Sequence, residues 1–254
     1  MKSRPKQVAP DGGTATLLQI EGLQKRFGGV TALDNFQLEL RARESLCLIG
    51  PNGCGKTTLL RTISGETAPD QGSIKFDGQE LGGQAPFRIA RLGIARKFQA
   101  PSVIEAMSVQ ENIAVAIYGR RGLRHEADGT SIMAPLRMVE LDHLLGQSAG
   151  TLAHGQKQWL EIGMLLAQEP RLLLLDEPTA GMTRVETEAT AKLLKSLMQD
   201  HDLAMIVVEH DLRFVADLGL KTAVMLRGAI VRQGSYDEIR QDPFVREIYL
   251  GQHA

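Results

Sequence analysis

The sequence predicts an α/β fold whose central sheet is mostly parallel. Three short apolar runs, Ser45–Ile49, Arg171–Leu175 and Leu203–Val208, have the composition of strands that are buried on both faces. Segments with helical periodicity separate these runs, and strands that alternate with helices usually form a parallel sheet. The chain has 254 residues, which is enough to bury a large core as one α/β domain or a domain with a subdomain.

The first part of the chain is predicted to be rich in strands. Residues 1–15 are polar and rich in Pro, Gly and Lys, so we expect a disordered tail. Strand-like pieces follow at Leu17–Gln24 and Phe36–Leu40, and Gly72–Gly78 has the pattern of a strand closed by an Asp-Gly turn. Thr58–Ile63 has helical character, so a helix follows the first fully apolar strand.

The second part is predicted to be more helical. Residues 85–150 have an irregular helical pattern, interrupted by a polar stretch at Gly119–Ala134 that we expect to be an exposed loop. Apolar residues keep helical spacing towards a stop at Pro170, and Val185–Met198 has the pattern of an amphipathic helix. Val224–Gln233 has the pattern of a hairpin around an Arg-Gly turn.

Composition and charge narrow the range of functions. The net charge of −1 gives no reason to expect a nucleic acid or an anionic membrane surface as partner. Two cysteines, Cys47 and Cys54, predict no disulfide framework and fit a reducing compartment. The sequence has neither an apolar run near the roughly 18–20 residues of a membrane-spanning helix nor a signal-peptide core. We therefore expect a cytosolic protein, or one that is held at a membrane by a partner.

The stretch GPNGCGKTT follows the first buried strand and precedes a helix. Its three glycines let the backbone turn tightly and bring N–H groups against phosphate oxygens. Lys56 is expected to reach the β and γ phosphates of a nucleoside triphosphate, and Thr57 to place its hydroxyl on Mg²⁺. The alternative is a glycine-rich turn without a ligand, but the flanking strand and helix favour nucleotide binding. The candidate nucleotide-binding residues are Gly50, Pro51, Asn52, Gly53, Cys54, Gly55, Lys56, Thr57 and Thr58.

Cys54 lies in this loop and permits two interpretations. A thiol at a helix N-terminus can have a lowered pKa, which would make Cys54 a redox-sensitive group. The alternative, which we favour, is a small residue that contributes only its backbone N–H.

Acidic residues and a histidine end two of the other buried strands. Asp176 and Glu177 follow one strand and His210 follows another, and ligands of parallel sheets gather at the carboxyl ends of strands. Asp176 can hold Mg²⁺, Glu177 can polarise an attacking water, and His210 can orient Glu177 or that water. The alternatives are an ordinary turn or capping pair of acids and a structural histidine. Beside a phosphate loop, the acids indicate triphosphate hydrolysis.

Together these motifs resemble the ATP-binding subunit of ABC transporters. Leu152–Gln156 (LAHGQ) stands where that family has its signature sequence, usually Leu-Ser-Gly-Gly-Gln. Phe27 matches the aromatic residue that stacks on adenine, and Gln99 matches the Q-loop glutamine, which contacts the metal and senses the γ phosphate. The stretches 50–58 and 172–177 match the Walker A loop and the Walker B strand with its catalytic acid, and His210 matches the switch histidine.

The resemblance implies a P-loop fold with a mostly parallel core sheet, an antiparallel β subdomain and a helical subdomain at about residues 85–165, all within one domain at 16–254. It implies that two ATPase subunits, here two different chains, pair head to tail. Each ATP would lie between the Walker A loop of one subunit and the signature residues of the other, here Ala153, His154, Gly155 and Gln156. It also implies integral membrane permeases and, indirectly, a periplasmic or extracellular substrate-binding protein as partners, with the chain peripheral at the cytoplasmic face of the inner membrane.

Three residues depart from the family pattern. Ala153 replaces the signature serine and removes a hydroxyl donor, and a hydrogen bond to a charged group is worth about 1.5–3 kcal/mol. His154 replaces a glycine, and Thr183 stands where the D-loop commonly has aspartate. We therefore expect weaker ATP binding across this half-site without loss of closure, because the backbone donors and Gln156 remain; the effect of Thr183 on communication between the two sites stays open.

The stretches His154–Met164 and Ala180–Thr183 look most like the urea importers of bacteria, which belong to the branched-chain amino acid importer group. The resemblance therefore implies ATP-driven uptake of urea, with a branched-chain amino acid as the alternative solute. A non-transport ABC-type ATPase fits less well, because such proteins usually carry long coiled coils or tandem ATPase domains. A P-loop kinase would leave the signature stretch and His210 without a role.

Overall fold

The computed structural model describes residues 15–97, 103–121 and 129–250. In chain order its strands are β1 (Thr16–Phe27), β2 (Val30–Arg41), β3 (Ser45–Ile49), β4 (Gln71–Phe76), β5 (Gln79–Glu80), β6 (Ile94–Arg96), β7 (Leu172–Asp176), β8 (Ala204–Val208), β9 (Lys221–Leu226) and β10 (Ala229–Gly234). Its helices are α1 (Lys56–Ile63), α2 (Pro86–Leu92), α3 (Val109–Arg121), α4 (Gly129–Met138), α5 (His154–Leu166), α6 (Arg184–Asp200), α7 (Leu212–Leu218), α8 (Tyr236–Gln241) and α9 (Pro243–Leu250).

The central sheet has six strands in the order β10-β9-β3-β8-β7-β6. All neighbours in it are parallel except the β9–β10 hairpin, so the predicted mostly parallel sheet is confirmed. Every residue of β3, β7 and β8 is buried. Successive side chains of a strand point to opposite faces, and here Leu173 and Leu175 belong to one core cluster while Leu172 and Leu174 belong to another. The sheet is therefore covered on both faces, which explains why these strands read as continuous apolar runs.

The second core cluster joins the central sheet to an antiparallel sheet of order β2-β1-β4-β5. Leu18 and Phe36 of this antiparallel sheet, together with Leu59 and Leu60 of α1, are fully buried in it. The helix that follows the glycine-rich loop is thus fixed by packing on its apolar side, which leaves its N-terminus at the carboxyl end of β3.

The prediction of a loop at Gly119–Ala134 is wrong at both ends of the stretch, where the structure has helices. Helix α3 continues to Arg121, and α4 begins at Gly129; residues 122–128 lie outside the described residues. The polar composition concealed an apolar contact, because Ile132 of α4 packs against the first core cluster. Helix α5 packs closely beside these helices: a Cβ atom on Gly163 would lie 3.1 Å from Val139 Cγ2.

No helix in the described part of the chain has the length and apolar character needed to cross a membrane.

Candidate nucleotide site

The glycine-rich loop has a backbone that requires its glycines. It connects β3 to α1, and Gly50, Gly53 and Gly55 have φ values of 154°, 78° and 107°, a region that residues with a side chain rarely adopt. A Cβ atom on Gly50 would lie 2.2 Å from the carbonyl oxygen of Met225, and one on Gly55 would lie 2.1 Å from that of Ala32. Two separate strands therefore approach the loop so closely that only glycine fits.

The β9–β10 hairpin also supports the loop. The Gly228 N–H donates a hydrogen bond to the Cys54 carbonyl at 3.0 Å, and the Asp34 N–H donates to the Gly228 carbonyl at 3.1 Å. Arg227 and Gly228 both have positive φ, at 47° and 84°, as a tight hairpin turn requires. The loop is therefore held by backbone contacts from β2 and from a hairpin more than 170 residues away in sequence.

Lys56 places its charge at the mouth of the loop. It is the first residue of α1, its side chain is largely buried, and its Nζ donates to the carbonyl oxygens of Gly50 at 2.7 Å and Pro51 at 3.1 Å. The positive end of the helix dipole and the backbone N–H groups of a glycine-rich turn favour an anion at the same place. The loop, the helix and the lysine together form a site for phosphate groups.

Cys54 is not an activated thiol. Its side chain is 5% exposed, and burial raises the pKa of the thiol above its usual value, although the nearby Lys56 charge opposes the shift. The redox-sensitive interpretation required a lowered pKa and is therefore wrong. The favoured interpretation, a small residue that contributes only its backbone N–H, fits the burial; within this chain that N–H donates to the Pro51 carbonyl at 3.3 Å.

Asp176 lies at the end of β7 beside the loop. Its side chain is 1% exposed, its Oδ1 accepts from the Thr57 hydroxyl at 3.5 Å, and its Oδ2 lies 3.5 Å from an Arg96 guanidinium nitrogen. Burial raises the pKa of Asp176, and the Arg96 charge and the Thr57 hydroxyl oppose that shift. The two carboxylate oxygens therefore face different partners, one on the loop helix and one on β6.

The oxygens of Thr57 and Asp176 fit a magnesium ion. Mg²⁺ prefers oxygen ligands at about 2.0–2.1 Å in an octahedron, so two adjacent ligands lie about 3 Å apart. The observed separation of 3.5 Å is close to that spacing. Within the described residues no group of three or more His, Cys, Asp and Glu side chains could hold a metal. A magnesium ion here would complete its octahedron with oxygen atoms of phosphates and water, as is usual for this ion, together with the predicted ligand Gln99, which lies outside the described residues.

Glu177 and His210 meet where the sequence expects them. His210 Nδ1 lies 3.5 Å from Glu177 Oε1, and the Glu177 N–H donates to the Val208 carbonyl at 2.9 Å. Glu177 has a φ of 49°, an uncommon conformation for a residue with a side chain. About a third of its side chain is exposed, so the carboxylate can reach a ligand or water. A carboxylate and an imidazole at this spacing can together orient a water molecule and accept its proton.

Glu209, the neighbour of His210, has a structural role that the sequence did not reveal. Its buried carboxylate accepts hydrogen bonds from the Thr179 N–H at 3.2 Å and the Thr179 hydroxyl at 2.7 Å. Its other oxygen accepts from the His210 N–H at 3.2 Å. Burial raises the pKa of Glu209. The acid therefore fixes the turn after Glu177 to the end of β8, which keeps Glu177 and His210 together.

The signature residues lie at the N-terminus of α5. Ala153 is the N-cap, and its N–H donates to the Gln156 side-chain oxygen at 3.0 Å. The Gly155 N–H donates to Glu186 Oε1 at 3.2 Å, and a Cβ atom on Gly155 would lie 2.7 Å from that oxygen. In this chain the Gln156 side chain and the Gly155 N–H are thus engaged within the subunit.

His154 contacts the D-loop of its own chain. Its Nε2 lies 3.0 Å from the Ala180 carbonyl oxygen, and because that oxygen can only accept, Nε2 carries the proton. A Cβ atom on Gly181 would lie 3.1 Å from Nε2, so the ring packs directly on the D-loop. The predicted contact of His154 with the nucleotide of a second subunit stays a prediction. Within its own chain, its side chain ties α5 to the segment before α6.

Thr183, the D-loop departure, has a local explanation. It is the N-cap of α6, and its hydroxyl and its N–H both donate to Glu186 Oε2, at 2.7 and 2.8 Å. These bonds lower the pKa of Glu186. Glu186 therefore receives donors both from its own helix end and from Gly155 of α5, which links the two helices.

Two further predicted residues lie at the edges of what the structure describes. Phe27 ends β1, is half exposed, and pairs with Val30 of β2 two residues before Ala32, the residue that contacts Gly55. It therefore lies on the hairpin that borders the loop. Gln99 lies outside the described residues, so its predicted contacts stay a prediction.

Two residues of the site, Arg96 and Glu66, belong to none of the motifs in the sequence. Arg96 of β6 is 5% exposed on its side chain and lies between Asp176 and Glu66, whose Oε1 is 2.6 Å from the guanidinium. Glu66 follows the C-terminus of α1. The available signal was an arginine directly after the apolar pair Ile94 and Ala95, since a buried cation requires a carboxylate partner.

A phosphate loop between a parallel strand and a helix, beside two acids at the end of a neighbouring strand, defines the chain as a P-loop nucleoside triphosphatase. The ABC transporter family model matches residues 33–180. The chain is 34% identical over 250 residues to the high-affinity branched-chain amino acid transport ATP-binding protein BraF of Pseudomonas aeruginosa, covering 93% of this chain and 98% of that protein. Over 251 residues it is 34% identical to the LivG protein of the same description from Escherichia coli, with the same coverage.

The fold is also similar to solved structures. The ADP conformation of MJ1267, an ATP-binding cassette of an ABC transporter, matches with a TM-score of 0.84 and 28% identity, covering 94% of this chain and 100% of that one. The chain belongs to the ABC transporter family, and it is an ABC-type ATPase that binds and hydrolyses ATP.

Proposed function

We propose that this chain powers an importer of the branched-chain amino acid group, and that the solute is a branched-chain amino acid. The observation that carries the proposal is the similarity to BraF and LivG along nearly the whole length of both partners. That similarity favours a branched-chain amino acid over urea, the solute that the signature stretch first indicated.

The proposed chemistry divides among the residues around the loop. The backbone N–H groups of residues 50–58, Pro51 excepted, and the charge of Lys56 bind the phosphates, and Phe27 stacks on adenine. Thr57 and Asp176 hold Mg²⁺, which supplies positive charge to the phosphates when it is bound. Glu177 accepts the proton of the attacking water, and His210 holds Glu177 in place. The support is geometric: Lys56 lies at the loop mouth, and 3.5 Å separates Thr57 from Asp176 and His210 from Glu177. Gln99 is proposed to sense the γ phosphate and contact the metal.

We further propose that the signature end of α5 completes the ATP site of a second ATPase subunit, which pairs head to tail and is a different chain. Integral membrane permeases bind the pair and receive solute from a substrate-binding protein, which places this chain at the cytoplasmic face of the inner membrane as a peripheral subunit. We expect no nucleic acid partner. The proposal rests on the family and on the N-terminus of α5, whose dipole favours an anion.

Urea is the second candidate solute. One observation favours it: the stretch His154–Met164, with its histidine and tryptophan, and the segment Ala180–Thr183 look like those of urea importers. Both segments are in contact here, since His154 binds Ala180. The unusual residues therefore form one structural unit.

Uptake by cells that lack the gene tests the solute. We expect uptake of labelled leucine to fall and to return with the wild-type gene but not with Lys56→Ala, which should lose ATP turnover. Uptake of labelled urea should be unchanged. Loss of urea uptake with normal leucine uptake would replace the proposal by the second candidate, and unchanged uptake of both would contradict both solutes.

A further inference from the structure

We propose that Arg96 is a positioning residue for the metal-holding carboxylate of Asp176, and that it strengthens the binding of the Mg²⁺–nucleotide complex without touching the nucleotide. This inference rests on the proposed role of Asp176. It concerns a guanidinium that none of the recognised motifs includes.

Arg96 lies beside Asp176 because of the sheet register. It is the last residue of β6 and pairs with Leu174 of β7, two residues before Asp176. Its side chain is 5% exposed and that of Asp176 is 1% exposed, and 3.5 Å separates a guanidinium nitrogen from Asp176 Oδ2. The pair is therefore almost wholly removed from water.

The guanidinium is fixed from its other side by α1. Its Nη1 lies 2.6 Å from Glu66 Oε1, and the same oxygen accepts from the Ser64 hydroxyl at 3.0 Å. Ser64 and Glu66 follow the C-terminal end of α1, whereas Thr57 lies in its first turn. Arg96 therefore holds Asp176 relative to the same helix that carries the other proposed metal ligand.

This geometry gives the two oxygens of Asp176 separate tasks. Oδ2 faces Arg96, and Oδ1 faces the Thr57 hydroxyl. A metal held by both residues would bind Oδ1 of Asp176 and the hydroxyl oxygen of Thr57. An isolated buried carboxylate is strongly disfavoured in its charged form, and a neighbouring guanidinium compensates for the lost water. Arg96 thus favours the charged form of the Asp176 carboxylate, which can bind a cation. It also fixes the orientation of the carboxylate group.

A purely structural ion pair would have a different consequence. Its loss would lower the stability of the fold and would affect nucleotide binding equally with and without magnesium. A positioning role affects only the magnesium-dependent part. Binding of nucleotide in EDTA and its increase with magnesium therefore distinguish the two.

The test is a MgCl₂ titration of the full-length protein with a fluorescent ADP analogue, with thermal unfolding measured in parallel. For Arg96→Met we expect the magnesium concentration at half-saturation to rise about tenfold, equivalent to about 1.4 kcal/mol, while binding in EDTA stays within about twofold of wild type. Arg96→Lys should recover part of the loss. Arg171→Met is the matched control, because Arg171 forms a 2.6 Å ion pair with Asp77 that is about half exposed.

Glu66→Gln keeps the test decisive if Arg96→Met does not fold, since Glu66 is partly exposed. We expect it to raise the half-saturating magnesium concentration about threefold by releasing the guanidinium.

An unchanged or lower half-saturating magnesium concentration in the folded variants would overturn the inference. If wild-type protein binds no nucleotide, the proposed function fails instead. If wild type responds to magnesium and the variants respond equally, the inference alone fails.

Discussion

The loop end and the signature end of the nucleotide site differ in how one chain organises them. Around the loop, separate strands and a hairpin hold the backbone, and the polar groups of Lys56, Thr57 and Asp176 converge on one place. At the start of α5, by contrast, Gln156 binds the Ala153 N–H and His154 binds the D-loop carbonyl of its own chain. The loop end is arranged to receive a ligand, whereas the side chains of the signature end are committed to the fold.

This difference shows which parts of a motif transfer between relatives. The loop glycines are required by backbone geometry, so their function follows from their position. The signature stretch of this chain lacks two of the usual residues, and one of the replacements, His154, makes a side-chain contact within the subunit. The backbone N–H groups and dipole of α5 can still serve a second subunit, while the role of a replaced side chain has to be established separately.

Among substitutions that test the difference between the loop end and the signature end, Lys56→Ala is expected to have the largest effect. Removing the charge at the loop mouth should lower ATP turnover about 10²–10³-fold, the usual range for the loss of one group that stabilises developing charge. Phosphate release by the assembled transporter measures it. Lys221→Ala is the control, since that half-exposed lysine pairs with Glu44 at 3.5 Å away from the loop. A Lys56→Ala protein with wild-type turnover would remove the loop from the mechanism.

Thr190→Val tests how firmly the signature helix is attached to α6. The buried Thr190 hydroxyl accepts from Trp159 Nε1 at 2.9 Å, so the substitution leaves an indole N–H without its acceptor. We expect the free energy of unfolding to fall by about 1–3 kcal/mol, measured in urea. Thr187→Val, on the same helix, should change it much less. Equal losses in both variants would mean that the Trp159 contact has no special role.

His154→Ala should have a smaller effect on activity than Lys56→Ala. It removes one hydrogen bond to the Ala180 carbonyl, worth about 0.5–1.5 kcal/mol of stability, and no proposed phosphate contact. We expect ATP turnover to stay within about threefold of wild type. A loss of turnover as large as that of Lys56→Ala would show that the imidazole reaches the nucleotide of a second subunit. It would contradict the statement that the side chains of the signature end are committed to contacts within their own subunit.

Ala153→Ser should have the smallest effect, and a favourable one. Ala153 is the N-cap of α5, and a serine there would complete a capping box with Gln156 and restore the hydroxyl of the common signature. We expect stability to rise by about 0.5–1 kcal/mol and ATP-dependent association to be equal or tighter, as measured by thermal unfolding and light scattering. Weaker association would contradict our interpretation of this position.

The sequence predicted the parts of this molecule that depend on local pattern. The buried strands, the loop between β3 and α1 and the pairing of Glu177 with His210 follow from apolar runs, glycines and the rule that strand ends meet. The contacts of His154, the ion pair of Arg96 and the hairpin contact at Gly228 depend on register between distant segments, which no local pattern contains. The first part of helix α4 was missed because few apolar residues, among them Ile132, mark its packed side in a polar stretch.

Counting bound ATP and released phosphate together in the assembled transporter with Glu177→Gln tests directly whether Glu177 is the base. We expect the variant to bind ATP with wild-type stoichiometry and to keep it intact, with phosphate release at least about 100-fold slower. Phosphate release at the wild-type rate would contradict the assignment of Glu177 as the group that accepts the proton of water.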